Sequence, residues 1–162
     1  MRRKPNPEAS ADKRMTRTFN MLAPVPDHRP VGEIKLTFDH DPEGHTVKVI
    51  VFGIRGFASE KNMDLYVKIY IQPDSKKLSK KKTNVERNTL NPMFNETFVY
   101  HLDELAKKLQ IKAETAEISL WHDGGIGKTV LLGKVDIPLK DVFESGYLSG
   151  WFPLFEDAGA KA

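Results

Sequence analysis

Met63-Asp64-Leu65-Tyr66-Val67-Lys68-Ile69-Tyr70-Ile71-Gln72, closed by Pro73-Asp74, is the stretch whose reading decides the fold. Leu65, Val67, Ile69 and Ile71 fall at every second position, and Tyr66, Lys68 and Tyr70 fill the places between. Side chains of an extended chain alternate between two faces, so this period of two marks a strand with one face in a core and the other turned outward. Tyr66, Lys68 and Tyr70 are therefore expected together on an outer surface.

The same texture recurs on both sides. Ile34, Leu36 and Phe38 alternate with Glu33, Lys35 and Thr37, and a turn at Asp41-Pro42-Glu43-Gly44 leads into a second strand over Thr46–Phe52. Further strand-like runs lie at Lys80–Glu86, Met93–His101, Glu117–Trp121, Leu131–Ile137 and Trp151–Phe155, with short helical patterns at Leu102–Leu109 and Lys140–Glu144. Eight strands with turn chemistry between them and no βαβ rhythm predict an all-β fold, an eight-stranded antiparallel β-sandwich with short connecting helices. Residues 1–31, with Pro5, Pro7, Pro24, Pro26 and Pro30 and six basic residues by position 17, predict a disordered tail or linker. The domain is expected over residues 32–157, followed by a short tail at 158–162.

With 162 residues the chain is long enough for one domain plus tails. It contains no cysteine, which excludes disulfides and thiolate metal sites. No signal peptide or run of roughly 18 apolar residues occurs, so a cytoplasmic protein is expected. The net charge of +3 is unevenly spread: residues 1–82 carry 17 Lys/Arg against 10 Asp/Glu, and the rest carries 8 against 12. Such a layout favours docking one side against an anionic surface.

Gly124-Gly125-Ile126-Gly127-Lys128-Thr129 has the look of a phosphate-cradling loop. A P-loop needs its first glycine five residues before the second, where this chain has His122, and it needs a helix afterwards, where Val130–Asp136 reads as a strand. A flexible turn between two strands accounts for the glycines.

Several separate pieces carry a family likeness: Gly32-Glu33-Ile34-Lys35-Leu36, Met63–Lys68, Lys82-Thr83, Thr89-Leu90-Asn91-Pro92-Met93-Phe94-Asn95-Glu96, and Leu131-Leu132-Gly133. Together they resemble the C2 domain, the lipid-binding β-sandwich of protein kinase C and the synaptotagmins, over about residues 32–157. Lys80–Val85 and Gly150–Asp157 bring the likeness nearer to the third C2 domain of extended synaptotagmins. A first C2 domain of a synaptotagmin-like protein, or that of a class II phosphoinositide kinase, is an alternative.

In calcium-dependent members of that family, aspartates from two loops hold the ion, and Ca²⁺ requires six to eight oxygens with several carboxylates among them. The family pattern puts first-loop ligands at Ala58 and Asp64, and third-loop ligands at His122, Gly124 and Val130, so only Asp64 keeps its carboxylate. Glu60 and Asp123 lie nearby, but Asp123 is one residue out of that register and is expected to turn to the other face. No metal site is expected, with Asp64 and Asp123 as residual carboxylates only.

Lys76, Lys77, Lys80, Lys81 and Lys82 place five lysines in seven residues. If the Lys80–Glu86 strand pairs with Met63–Gln72, Lys80, Lys82 and Asn84 join Lys68 on one face beside Tyr66 and Tyr70. The resemblance implies a phosphoinositide site on that surface, carried by Tyr66, Lys68 and Lys82, with Asn84 where other members have a lysine. Phe57 in the first loop, and Ile126 and Lys128 in the third, are candidates to enter the membrane interface.

The expected function is calcium-independent docking to acidic phospholipid, such as phosphatidylinositol 4,5-bisphosphate, as in a membrane tether. The expected site is peripheral, on the plasma membrane or at endoplasmic reticulum–plasma membrane contacts. Alternatives are a protein-interaction domain for an acidic partner and a residual calcium-dependent phospholipid-binding domain. No nucleic-acid partner is expected, because the lysine run has only tyrosines beside it for stacking and no arginine. No cofactor and no enzymatic activity are expected, since the chain lacks H-E-x-x-H, a nucleophile elbow and cysteine.

Overall fold

The computed structural model describes residues 29–110 and 112–156, so the expected tail through residue 28 and the closing segment from 157 lie outside the described residues. Along the chain run β1 (Pro30–Asp41), β2 (Thr46–Arg55), β3 (Met63–Gln72), β4 (Lys81–Lys82), β5 (Glu86–Thr89) and β6 (Met93–His101). They are followed by α1 (Leu102–Leu109), β7 (Thr115–Asp123), β8 (Thr129–Pro138), α2 (Leu139–Ser145) and β9 (Tyr147–Phe155). Pro30 and Val31, expected as the end of the tail, belong to β1.

Hydrogen bonding follows the order β4-β3-β7-β8-β9-β1-β2-β6, with β5 also on β3, and the pairings are antiparallel. β8 meets β9 through one pair, Lys134 with Phe155. The path folds over there, so β4, β5, β3, β7 and β8 form one layer and β9, β1, β2 and β6 the other. The alternating positions read from sequence supply the core between them: Leu65, Val67, Ile69 and Ile71 from β3 face Ile34, Leu36 and Phe38 from β1, all at most 1% exposed. Gly133 sits at the fold-over because a Cβ there would lie 2.7 Å from Val31 Cγ2 and 3.3 Å from Leu154 Cβ.

Among the described residues nine strands form where eight were expected, because the Lys80–Glu86 segment breaks in two. The Thr83 hydroxyl accepts the Val67 N–H at 3.0 Å, so a side chain takes a place in the β3 ladder that a backbone carbonyl would otherwise hold. The Asn84 N–H then turns to Glu96 Oε2 at 2.8 Å, and pairing with β3 resumes only at Glu86. Both helices match their expected positions within a residue, α1 burying Leu105 and α2 burying Leu139 and Val142.

Candidate functional site

The β3–β4 pairing sets Lys68 directly opposite Lys82. Like charges in that position destabilise a sheet, so the arrangement works against the fold. Burial lowers the Lys68 pKa from the ordinary lysine value, and the charges of Lys80, Lys77 and Lys82 push the same way. Three other lysines expected at the site therefore act on Lys68. Lys81 is turned elsewhere, its ammonium 5.0 Å from the centre of the Tyr100 ring.

The aromatic partner of this cluster is one the sequence reading missed. On β7, Ile118 and Leu120 are in the core, so Ser119 and Trp121 face outward, and the β3–β7 register puts Trp121 opposite Tyr66. The Lys68 ammonium lies 3.9 Å from the Trp121 ring centre and 5.8 Å from that of Tyr66. Trp121 Nε1 donates to Ser119 Oγ at 2.8 Å, which fixes the ring against its own strand. A large aromatic at an outward position is the signal that marks it.

Tyr66 and Tyr70 were expected to lie open beside the lysines, yet each is only 6% exposed. They do point outward, but in mid-sheet positions, with Trp121 opposite Tyr66 and Glu117 opposite Tyr70 in the register. Burial, then the charge of Asp123, raises the Tyr66 hydroxyl pKa, and burial does the same for Tyr70 with Glu117, Asp74 and Tyr66 adding to it. The open part of the face is thus the lysine heads and the partly exposed Trp121. Asn84 lies past the end of β4, and Lys76 lines a hollow of ≈ 550 Å³ with Pro73, Leu78, Lys108 and Leu109.

A buried carboxylate shapes the β3–β4 turn that carries the lysines. Asp74, 7% exposed, accepts the Leu78 N–H on Oδ1 and the Ser79 N–H on Oδ2, both at 2.8 Å, while the Ser79 hydroxyl donates to Oδ2 at 2.5 Å. Burial would raise the Asp74 pKa, but hydrogen bonds from the Ser79 hydroxyl and amide and from the Leu78 and Lys77 amides hold it below the usual carboxylate value.

At the other end of β3 stand the positions where the family pattern would place calcium ligands. The β3–β7 register pairs Leu65 with His122, so Asp64 and Asp123 stand at opposing positions on the outer face. Asp123 was expected to turn away from Asp64; instead both reach Arg87 of β5, Asp64 Oδ2 at 3.3 Å from Nη1 and Asp123 Oδ2 at 3.7 Å from Nη2. Their other oxygens accept backbone N–H groups, from Asn88 at 2.9 Å and from Gly125 at 3.0 Å. Two carboxylates already engaged by a guanidinium and two amides do not make the donor set calcium requires. Among the described residues no three His, Cys, Asp or Glu side chains converge on one point.

The third loop ends in a tight turn, the Lys128 N–H donating to the Gly125 carbonyl at 3.0 Å and the Gly124 N–H to the Lys128 carbonyl at 3.2 Å. Gly125 and Gly127 adopt φ of +101° and +71°, which glycine accepts without strain, and leave Ile126 at 102% exposure between them. Lys128 is exposed too. Phe57, expected as a second apolar tip, is partly buried and packs on the core. Among the described residues no helix is long and apolar enough to cross a membrane.

Comparison with known proteins gives a consistent picture. The family model for the C2 domain matches residues 45–154. The chain is 35% identical over 133 residues, 78% of its length, to human phosphatidylinositol 4-phosphate 3-kinase C2 domain-containing subunit beta. It is 33% identical over 139 residues, 82% of its length, to extended synaptotagmin-2-A of Xenopus laevis. These matches cover 8% and 15% of the two relatives, so the chain spans a small part of either. Among solved structures, the third C2 domain of KIAA1228 protein superposes with a TM-score of 0.66 and 29% identity, covering 80% of this chain and 92% of that one.

Proposed function

Because the chain belongs to the C2 domain family, we propose that it is a non-catalytic membrane-docking module that binds acidic phospholipid, phosphoinositide foremost, through the outer face of β3, β4 and β7 without calcium. The observation that carries the reading is Lys68, held 3.9 Å over Trp121 with Lys77, Lys80 and Lys82 close enough to depress its pKa. A fold that keeps like charges opposed gains nothing in stability from doing so; a multivalent anion laid across them relieves the repulsion. An inositol phosphate head group has that charge, and a lipid ring or tail edge can rest on the partly exposed indole.

At about 1 kcal/mol per basic residue near an anionic leaflet, four lysines contribute roughly 4 kcal/mol, close to a thousandfold in partitioning. That suits a tethered domain, and the likeness to extended synaptotagmins supports a peripheral position on a membrane, for which the plasma membrane or its contacts with the endoplasmic reticulum is the proposed place. Calcium independence is supported by Asp64 and Asp123 both being engaged and by no three His, Cys, Asp or Glu side chains converging among the described residues.

Sedimentation with vesicles containing phosphatidylinositol bisphosphate, in calcium or in chelator, tests this. Binding is expected to be equal in the two conditions and to fall at least tenfold in a Lys80→Glu/Lys82→Glu double variant, whose two reversals remove about four charges' worth of attraction. Undiminished binding by that variant ends the proposal. A second reading, an acidic protein partner, has one observation in its favour: Leu78 is 47% exposed in a hollow where Lys80, Lys81 and Lys108 outnumber the one acidic lining residue, Glu104. It predicts vesicle binding near background for the unaltered chain.

A further inference from the structure

Three loop-end segments far apart in sequence meet at one side chain. Arg87, from β5, spans Asp64 at the start of β3 and Asp123 at the end of β7, with its two Nη atoms on different carboxylates. Asp64 and Asp123 occupy opposing positions on the same sheet face, where two uncompensated carboxylates would repel. Each carboxylate keeps one oxygen for Arg87 and gives the other to a backbone N–H, Asp64 to Asn88 and Asp123 to Gly125. All four oxygens therefore have protein partners.

We propose that Arg87 is the resident cation of this loop end, a positioning residue that does with a guanidinium what a bound divalent ion would do, tying the loops together and holding the turn that carries Ile126. The connection is continuous. Arg87 fixes Asp123, Asp123 fixes the Gly125 amide, and the Gly125 carbonyl receives the Lys128 N–H to close the turn with Ile126 at its apex. Because the tie is a side chain and not a bound ion, the turn is held without calcium and its apolar tip stands ready at any calcium level. That last step rests on the docking reading given above. The disagreement between the donor set and calcium is then a substitution: the positive charge is still at the loop end, but it is covalently part of the chain.

The test has two arms, both on the 162-residue protein. In solution without lipid, amide hydrogen exchange at Gly125 and Lys128 is compared between wild type and Arg87→Gln, with circular dichroism confirming an intact fold. Two exposed ion pairs are lost, so exchange at these amides should quicken about three- to fivefold in the variant, while calcium at millimolar level leaves the wild type unchanged. Unaltered exchange in Arg87→Gln, or wild-type exchange that responds to calcium, overturns the proposal. In the second arm, Ile126→Ser is introduced into both backgrounds and binding to vesicles of phosphatidylcholine, phosphatidylserine and phosphatidylinositol bisphosphate is measured. If Arg87 acts through Ile126, the serine penalty shrinks in the Arg87→Gln background; full additivity refutes it. Should the wild type fail to bind vesicles at all, the docking reading falls, and the exchange arm still decides the role of Arg87.

Discussion

The ammonium of Lys68 lies 3.9 Å from the centre of the Trp121 ring, and the two residues come from strands that the β3–β7 ladder sets side by side. A cation over an indole face at this distance gains about 0.5–2 kcal/mol according to how far it is desolvated, and Lys68 is partly buried. The ring therefore holds the ammonium in place ahead of any ligand. Trp121→Leu keeps an apolar body on the strand but removes the quadrupole. It is expected to weaken vesicle binding about three- to tenfold with little change in melting temperature, checked by sedimentation and calorimetry on the same preparation.

The opposed pair Lys68 and Lys82 makes a second expectation, one in which stability and binding move in opposite directions. Lys82→Ala removes a like-charge contact that costs about 0.2–1 kcal/mol, so the variant should be equally stable or slightly more so toward urea. It should also bind anionic vesicles about fivefold less well, the share of one basic residue. The sign with pH is fixed by the lowered Lys68 pKa. The folded protein releases that proton at lower pH than the unfolded chain does, so the Lys68 penalty is fully present below the folded pKa. It is relieved as pH rises from there toward the ordinary lysine value of 10.5. Stability of the wild type relative to Lys68→Met should accordingly improve across that alkaline window, and a flat difference would contradict it.

Asp74 supplies the acid counterpart. Its carboxylate takes two backbone N–H groups and the Ser79 hydroxyl inside the turn, and its pKa is held below the ordinary 3.8. A depressed carboxylate contributes stability that is complete above the unfolded value and is lost as pH falls through the folded one, hence below about pH 4. Asp74→Asn leaves one acceptor where three donors converge, and it should cost about 1–3 kcal/mol at neutral pH while flattening the acid limb of the stability curve. Urea unfolding from neutral pH down to about pH 3 distinguishes this from a variant that merely loosens the turn, which would run parallel to the wild type.

The strand alternation of β3 was legible in the sequence because period two needs no knowledge of neighbours, and the lysine run was legible because charge density needs none either. What was not legible depends on register. Trp121 joins Lys68, and Asp123 comes back to Asp64, only because β3 and β7 pair with Leu65 opposite His122, and no local pattern encodes that offset. Tyr66 and Tyr70 were assigned to the correct face, but an outward face in the middle of a sheet can still be buried. The break between β4 and β5 turns on one hydroxyl, that of Thr83, standing in for a carbonyl, which a hydrophobic pattern does not register.

Ile126 gives the last expectation. Its side chain touches nothing in the fold that would lose packing, being 102% exposed at the apex of a turn closed by backbone hydrogen bonds. Surface replacements of that kind change stability by no more than about 0.5 kcal/mol, so Ile126→Ser should melt with the wild type. If the turn enters the membrane interface, burying an isoleucine there gains up to about 1.5–3 kcal/mol, and shallow entry about half of that. Vesicle binding should then fall about three- to tenfold in Ile126→Ser. That loss should persist at salt concentrations that screen the lysines, since apolar burial is not weakened by counterions as charge attraction is. A serine variant whose deficit disappears at high salt would place Ile126 outside the contact and leave docking to the lysine face alone.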